Sequence, residues 1–219
     1  DCLLSRGLGD VYKRQDLAWM QQSAQLDFNT NLDDAHELGE LMYALHRLKA
    51  PTLAVVQGAA FGGALGLISC CDMAIGAEDA QLCLSEVRIG LAPAVISPFV
   101  VKAIGERATR RYALTAERFS GVRARELGLL AEVYPASELD AQVEAWVDNL
   151  LHNSPQALRA TKDLLREVDD GELSPALRRY CENTIARIRV SAEGQEGLRA
   201  FLEKRRPAWQ TEHKKEPRP

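Results

Sequence analysis

Two glycines and one glutamate are the residues of this chain best suited to chemistry. Gly62 and Gly63 fall between an apolar, strand-like run at 52–56 and an apolar, helix-like run beginning near residue 64. A glycine pair at such a turn lets a ligand approach the main chain, and the unpaired N–H groups of the first helical turn then face it with the positive end of the helix dipole. Donors placed in this way stabilise an oxyanion. Glu86 follows a second apolar run at 81–84. A glutamate in that position reads on its own as a solvated strand end. Set among Leu84, Val87, Ile89 and Leu91 and served by a nearby donor turn, it reads instead as a carboxyl group of raised pKa, suited to proton transfer near neutrality.

The elements that must position these groups follow from periodicity. Apolar residues at 35, 38, 41, 42, 45 and 48 carry the spacing of an amphipathic helix over 33–49, with Asp34 and Glu37 near its start and Ala50-Pro51 at its end. Strands are expected at 52–56, 73–76, 81–84 and 131–134, with a short helix at 64–71, further helices at 96–104, 108–114 and 123–130, and a capped turn at 115–118. Continuous apolar strands separated by helices imply a sheet covered on both faces, an α/β core. Asp72 is read as closing the turn after the first of those short helices, without a catalytic part. Beyond Pro135 the pattern is helical, with an apolar stripe of Leu139, Val143, Trp146, Val147, Leu150 and Leu151, then helices at 155–168, 174–190 and 193–204. The stripe and the apolar positions of 176–190 are expected to leave a hydrophobic patch on an isolated chain. The tail at 210–219 has little to bury and is expected to be disordered.

The chain has 219 residues, 46% hydrophobic and 26% charged, with a formal net charge of −4, enough for one sizeable core with a small helical appendage. This is the composition of a soluble globular protein. No apolar stretch is long enough to span a bilayer, and the near-neutral balance gives no reason to expect nucleic acid, although a local basic patch could receive an anionic cofactor. A cytoplasmic enzyme is the expectation. Cys2, Cys70, Cys71, Cys83 and Cys181 form no C-x-x-C pair, and His36, His46, His152 and His213 lack metal-ligand spacing. No metal is expected.

The stretches PTLAVVQGAAFGGALGLISCCDMAIGA (51–77), AQLCLSEVRIGLAP (80–93) and SAEGQEGLRAFLEKRRPAW (191–209) resemble the crotonase, or enoyl-CoA hydratase/isomerase, superfamily. The resemblance runs from about Asp16 to Trp209. It implies a spiral of ββα repeats over 16–135, incomplete at its N-terminal end, and a C-terminal helical trimerisation module over 136–209, in a homotrimer or hexamer. The segment SRGLGDVYKRQ (5–15) is similar to a translated sequencing adapter, so 1–15 is read as non-native and the chain as N-terminally truncated. No signal peptide is expected, because no apolar h-region follows Arg6.

The same resemblance implies chemistry at a thioester enolate, the substrate being an acyl-CoA with no further cofactor. Gly63 would give one backbone donor to the enolate oxygen. The other would come from Gln15, before Asp16 and Leu17, the remnant of a Phe-x-Ala-Gly-Ala-Asp-Leu motif. Glu86 matches the general acid/base of the family. A second glutamate, carried by two-carboxylate hydratases three residues after the oxyanion glycine, is replaced by Gly66. That replacement weakens a hydratase and strengthens an isomerase, which shuttles one proton with one carboxylate. The segments DLAWMQQSA (16–24), NTNLDD (29–34) and LSEVRIGLAPAVISP (84–98) pull the other way, being similar to bacterial hydratases of methylglutaconyl-CoA and carboxygeranoyl-CoA. Both substrates carry a distal carboxylate, for which Arg88 is a candidate partner beside its reading as a surface or intersubunit ion-pair residue. Asp16, Leu17, Gly62, Gly63, Arg88 and Lys204 make the implied substrate set. Lys204, Arg205 and Arg206 match a segment near the CoA nucleotide and read equally as a basic helix end. Besides hydratase and isomerase, a third reading is an inactive assembly module that keeps only the helices.

Overall fold

The computed structural model describes residues 3–5 and 25–210. In chain order the elements are β1 (Leu3–Ser5), α1 (Phe28–His46), β2 (Thr52–Val56), β3 (Ala59–Phe61), α2 (Gly63–Cys70), β4 (Met73–Ala77), β5 (Gln81–Cys83), a 3-10 turn (Glu86–Ile89) and α3 (Ser97–Thr115). They continue with β6 (Phe119–Ser120), α4 (Gly121–Glu126), β7 (Glu132–Tyr134), α5 (Leu139–Leu151), α6 (Pro155–Asp170), α7 (Pro175–Arg189), α8 (Ala192–Leu202) and a closing 3-10 turn (Ala208–Gln210). The described residues divide into two compact units, one of 3–5, 25–48 and 52–143 and one of 49–51 and 144–210, the division falling inside α5.

The first unit is the expected α/β core. Its larger sheet has the order β1-β2-β4-β7 with every pair parallel. All five residues of β2 are buried, the continuous apolar run that a strand covered on both faces requires. Each valine or leucine enclosed there contributes about 1.5–3 kcal/mol of hydrophobic stabilisation. Asp72 fastens the start of β2: its Oδ2 accepts from the Thr52 N–H at 2.7 Å and the Thr52 hydroxyl at 2.8 Å, while its own N–H donates to Thr52 Oγ1 at 2.9 Å. A second, smaller sheet holds β3 parallel to β5 and β5 antiparallel to β6.

Several boundaries differ from expectation for local reasons. Helix α1 begins at Phe28, five residues early, because Asp27 caps it by accepting from the Thr30 N–H at 2.9 Å. Phe28 and Leu32, one turn apart and in helical spacing with Ala35, extend the pattern back to the cap. Met42 is buried in this helix, whereas Leu38 and Leu41 are exposed. Strand β3 lies where a glycine-rich turn was expected, and β6 was not anticipated at all. The helices expected at 96–104 and 108–114 are one element with a break at Gly105, whose φ of 77° and ψ of 157° leave the helical region. Only glycine adopts that backbone without strain. Helix α4 starts two residues earlier than expected, capped by Ser120 Oγ on the Arg123 N–H at 3.1 Å.

The second unit is helical. Ser154, Ser174 and Ser191 cap α6, α7 and α8 by accepting from the N–H three residues on, at 3.0, 3.2 and 3.1 Å, and Pro155 and Pro175 sit at the first helical position. Glu193 Oε2 joins α8 to the start of α6, accepting from the Ser154 hydroxyl and from the Gln156 N–H at 2.9 Å. Helix α7 contains no buried residue. The expected apolar patch holds in part: Tyr180, Ile185 and Val190 of the 176–190 segment are uncovered, as are Leu173, Phe201 and Leu202, whereas Leu139, Val143 and Val147 of α5 are buried within the chain itself.

Candidate active site

Parallel pairing brings the glycine turn and the glutamate together. Phe61 is in register with Cys83, and the Gly62 N–H donates to the Cys83 carbonyl at 2.9 Å, so the ladder runs one residue past β3. Both chains then leave the sheet at the same end. One turns into α2 through Gly62, the other passes Leu84 and Ser85 into the 3-10 turn that starts at Glu86. Ligands of parallel sheets bind beyond the carboxyl ends of the strands, which is where these groups lie. Glu86 thus heads a short helical turn rather than ending a strand.

Gly62 is required twice. Its φ of 56° and ψ of −124° are strained for any residue with a side chain, and an added Cβ would stand 3.2 Å from Glu86 Oε1 and 3.7 Å from its carboxyl carbon. The carboxyl group lies directly over the turn. Gly63 opens α2 with an N–H that has no hydrogen-bond acceptor among the described residues, and the space beside its Cα is open. The first N–H groups of a helix have no partner within it, and the helix dipole adds positive potential there. A developing negative charge is stabilised at such a point.

Burial raises the pKa of Glu86, offset in part by a hydrogen bond from its own backbone N–H. Its Oε2 is enclosed without a hydrogen-bond partner. The expectation of a raised pKa holds, yet the apolar neighbours expected to cause it mostly do not. Leu84 is buried, whereas Val87, Ile89 and Leu91 are 38%, 60% and 58% exposed. Burial also raises the thiol pKa of Cys83, which precedes this turn, and pushes that of Cys70, at the far end of α2, up to about 12. Among the described residues no group of three or more His, Cys, Asp or Glu could hold a metal ion.

Gly66, one turn into α2, has a packing explanation. A Cβ there would meet Ile96 Cγ2 at 2.3 Å, Ile96 Cβ at 2.7 Å and Met42 Cε at 3.1 Å, and both side chains are buried. Glycine inside a helix costs about 1 kcal/mol relative to alanine, and this contact accounts for the cost. In the sequence Met42 reads only as an apolar helix position and Ile96 only as a helix start, and their contact with Gly66 was missed. The only signal was a glycine inside an otherwise apolar helix.

The remaining candidates are distributed. Arg88 is exposed, and its Nη2 donates to the Ala116 carbonyl at 2.6 Å, an oxygen that also accepts from the Cys83 thiol at 3.2 Å. Among the described residues no carboxylate pairs with Arg88. Arg118, unremarked in the sequence, lies 5.1 Å above the ring of Phe61, the residue before Gly62. Lys204 belongs to the helical unit, just past α8, with a φ of 55°. Its neighbour Arg205 is committed to Glu203 at 2.6 Å and to Glu196 by bonds of 2.6 and 2.9 Å, and the latter, with the Ala208 N–H, hold the Glu196 carboxyl down at about 2. Gln15, Asp16 and Leu17, like the segment 6–15 and the tail 211–219, lie outside the described residues.

The parallel α/β core thus brings a helix N-terminus and a carboxyl group with one enclosed, unpartnered oxygen to the same strand end. The family profile for enoyl-CoA hydratase/isomerase matches residues 15–212, and the chain belongs to that family. It is 50% identical to an enoyl-CoA hydratase from Shewanella pealeana, whose crystal structure superposes with a TM-score of 0.86 over 95% of this chain and 77% of that one. Pseudomonas aeruginosa AtuE is 37% identical, with a TM-score of 0.85 over 89% of this chain and 75% of that one. A 2,3-dehydroadipyl-CoA hydratase of Escherichia coli is 26% identical over 86% of this chain and 73% of its own length. The α/β, crotonase-like fold with a helical C-terminal unit is the one expected.

Proposed function

We propose that the protein hydrates a branched or carboxylated enoyl-CoA of the methylglutaconyl type, with Glu86 carrying the proton and the Gly63 amide stabilising the thioester enolate. The observation that supports it most is the Glu86 carboxyl group lying over Gly62 with an enclosed, unpartnered oxygen, beside the free N–H of Gly63. The Escherichia coli relative, named for an enoyl-CoA derived from a dicarboxylic acid, supports the carboxylated class. In this reaction the Glu86 carboxylate takes a proton from water as the hydroxyl oxygen bonds to the β-carbon. The π electrons move toward the thioester carbonyl, whose oxygen becomes the enolate held by Gly63. Collapse of the enolate draws the same proton from Glu86 to the α-carbon, and the carboxylate is restored. Asp16, Leu17, Gly62, Arg88 and Lys204 are proposed to hold the substrate, and a homotrimer or hexamer in the cytoplasm is the proposed working form. No described helix is long and apolar enough to cross a membrane.

Gly66 favours a second reading, isomerisation of a 3-enoyl-CoA. Here Glu86 removes the α-proton and returns it to the γ-carbon as the double bond moves. The test uses the purified gene product in ¹⁸O-labelled water with methylglutaconyl-CoA and, separately, a 3-enoyl-CoA. A hydroxyacyl product bearing ¹⁸O supports hydration, an enoyl product without added oxygen supports isomerisation, and inertness toward both rejects the two readings together.

A further inference from the structure

We propose that Ile96, backed by Met42, is a specificity-determining residue that keeps the α2 side of the site apolar and leaves Glu86 as its single proton carrier. The inference rests on the reading of Glu86 given above. Gly63 and Gly66 are three residues apart on α2 and therefore share one of its faces. The amide of Gly63, without an acceptor among the described residues, stands at the start of the same helix. A side chain at 66 would leave the helix one turn further in, on the same side, and the structure fills that path with the Ile96 Cγ2 at 2.3 Å.

Ile96 is in no position to yield. Its carbonyl accepts from the N–H groups of Phe99 and Val100, both at 3.1 Å, and the turn before it is closed by Ser97 N–H on the Pro93 carbonyl at 3.0 Å. Its side chain is 3% exposed. Helix α3, which Ile96 caps, packs against both α2 and the 3-10 turn that begins with Glu86. Ile96 therefore begins the helix that packs against both the oxyanion helix and the carboxylate turn, and it is itself set against position 66 of the former. Nothing polar enters from position 66 while Ile96 is there. The wall controls what position 66 adds to the chemistry, and it does so by volume.

The test compares Ile96→Gly, Ile96→Gly/Gly66→Glu, Gly66→Ala, Gly66→Glu and Glu86→Gln in the gene product. Glycine is tolerated at a helix N-cap, so the Ile96→Gly background keeps α3 capped. Gly66→Ala and Gly66→Glu alone are expected to lower the melting temperature, and the double variant to melt no lower than Ile96→Gly. The decisive readout is chemical. The pH profile of kcat/KM should show one carboxyl ionisation in the parent and in Ile96→Gly, and a second one in the double variant, with the ratio of hydrated to isomerised product raised at least ~10-fold, a modest share of what a positioned acid/base supplies. A Gly66→Ala protein as stable as the parent would overturn the steric claim. A double variant with the profile and product ratio of Ile96→Gly would overturn the claim that the wall borders the reacting carbons. Full activity in Glu86→Gln would instead reject the underlying reading, whatever the other variants do.

Discussion

Enclosing one oxygen of Glu86 without a partner favours the neutral acid over the carboxylate, and the shift has consequences for both rate and stability. As proton acceptor it must be ionised, so activity is expected to rise with pH through a carboxyl pKa above the ordinary 4.5. Glu86→Gln should reduce turnover by at least ~10²-fold while leaving thioester binding nearly intact, because the oxyanion donors are backbone groups; stopped-flow and equilibrium binding read the two effects separately. The stability effect runs opposite. The folded-state pKa is raised, so the folded protein holds its extra proton most firmly in acid, and that advantage is lost as pH climbs past the folded value. Glu86→Gln is thus expected to be more stable than the parent at pH 7, with the difference vanishing below about 4.5, as chemical denaturation at several pH values would record. Gly62→Ala places a methyl group against the carboxyl in a backbone conformation that costs about 1–3 kcal/mol, and should lose both stability and turnover. The sequence made Gly62, Gly63 and Glu86 readable because residue type and turn chemistry are local. Ile96 was hidden because its effect is occupancy of space by a side chain thirty positions away from Gly66.

Helix ends show the same division between local signals and distant ones. The serine caps before Pro155 and Pro175 are written in adjacent residues, and so is the Gly105 break that divides α3. Strand β3 was missed because Ala59–Phe61 is too short to carry a period, and it exists through pairing with β5 twenty-two residues on. At the end of α8 the Arg205 N–H donates to the Ala200 carbonyl at 3.0 Å and the Lys204 N–H to Phe201 at 3.2 Å, a closure that puts Lys204 in the left-handed region. Lys204→Gly should therefore stabilise the protein by about 1 kcal/mol in denaturant titrations. If Lys204 meets the CoA nucleotide, the same variant raises KM for the thioester but not for a pantetheine analogue that lacks the nucleotide.

At the scale of the molecule the helical unit leaves apolar side chains without cover. Leu173 is 99% exposed and Phe201 81%, and α7 buries nothing. Exposed apolar residues also lie on the α/β unit, Phe28 and Leu114 among them, and such surfaces are candidates for the proposed assembly. Sedimentation of the gene product should report an assembly, with Phe201→Glu shifting it toward smaller species; a monomer at micromolar concentration would reject the proposed trimer or hexamer. The sequence showed which helices carry apolar stripes, but which stripe is used inside the chain depends on tertiary packing, and α5 proved to be the buried one. The contact between Gly66 and Ile96 also constrains how such a chain can change over generations. A larger residue at 66 is blocked while the isoleucine remains, whereas loss of the isoleucine leaves a cavity costing roughly 2–5 kcal/mol that the molecule has to tolerate first. The two positions can only be exchanged in one order, and a lineage without that reserve of stability stays with the active site it has.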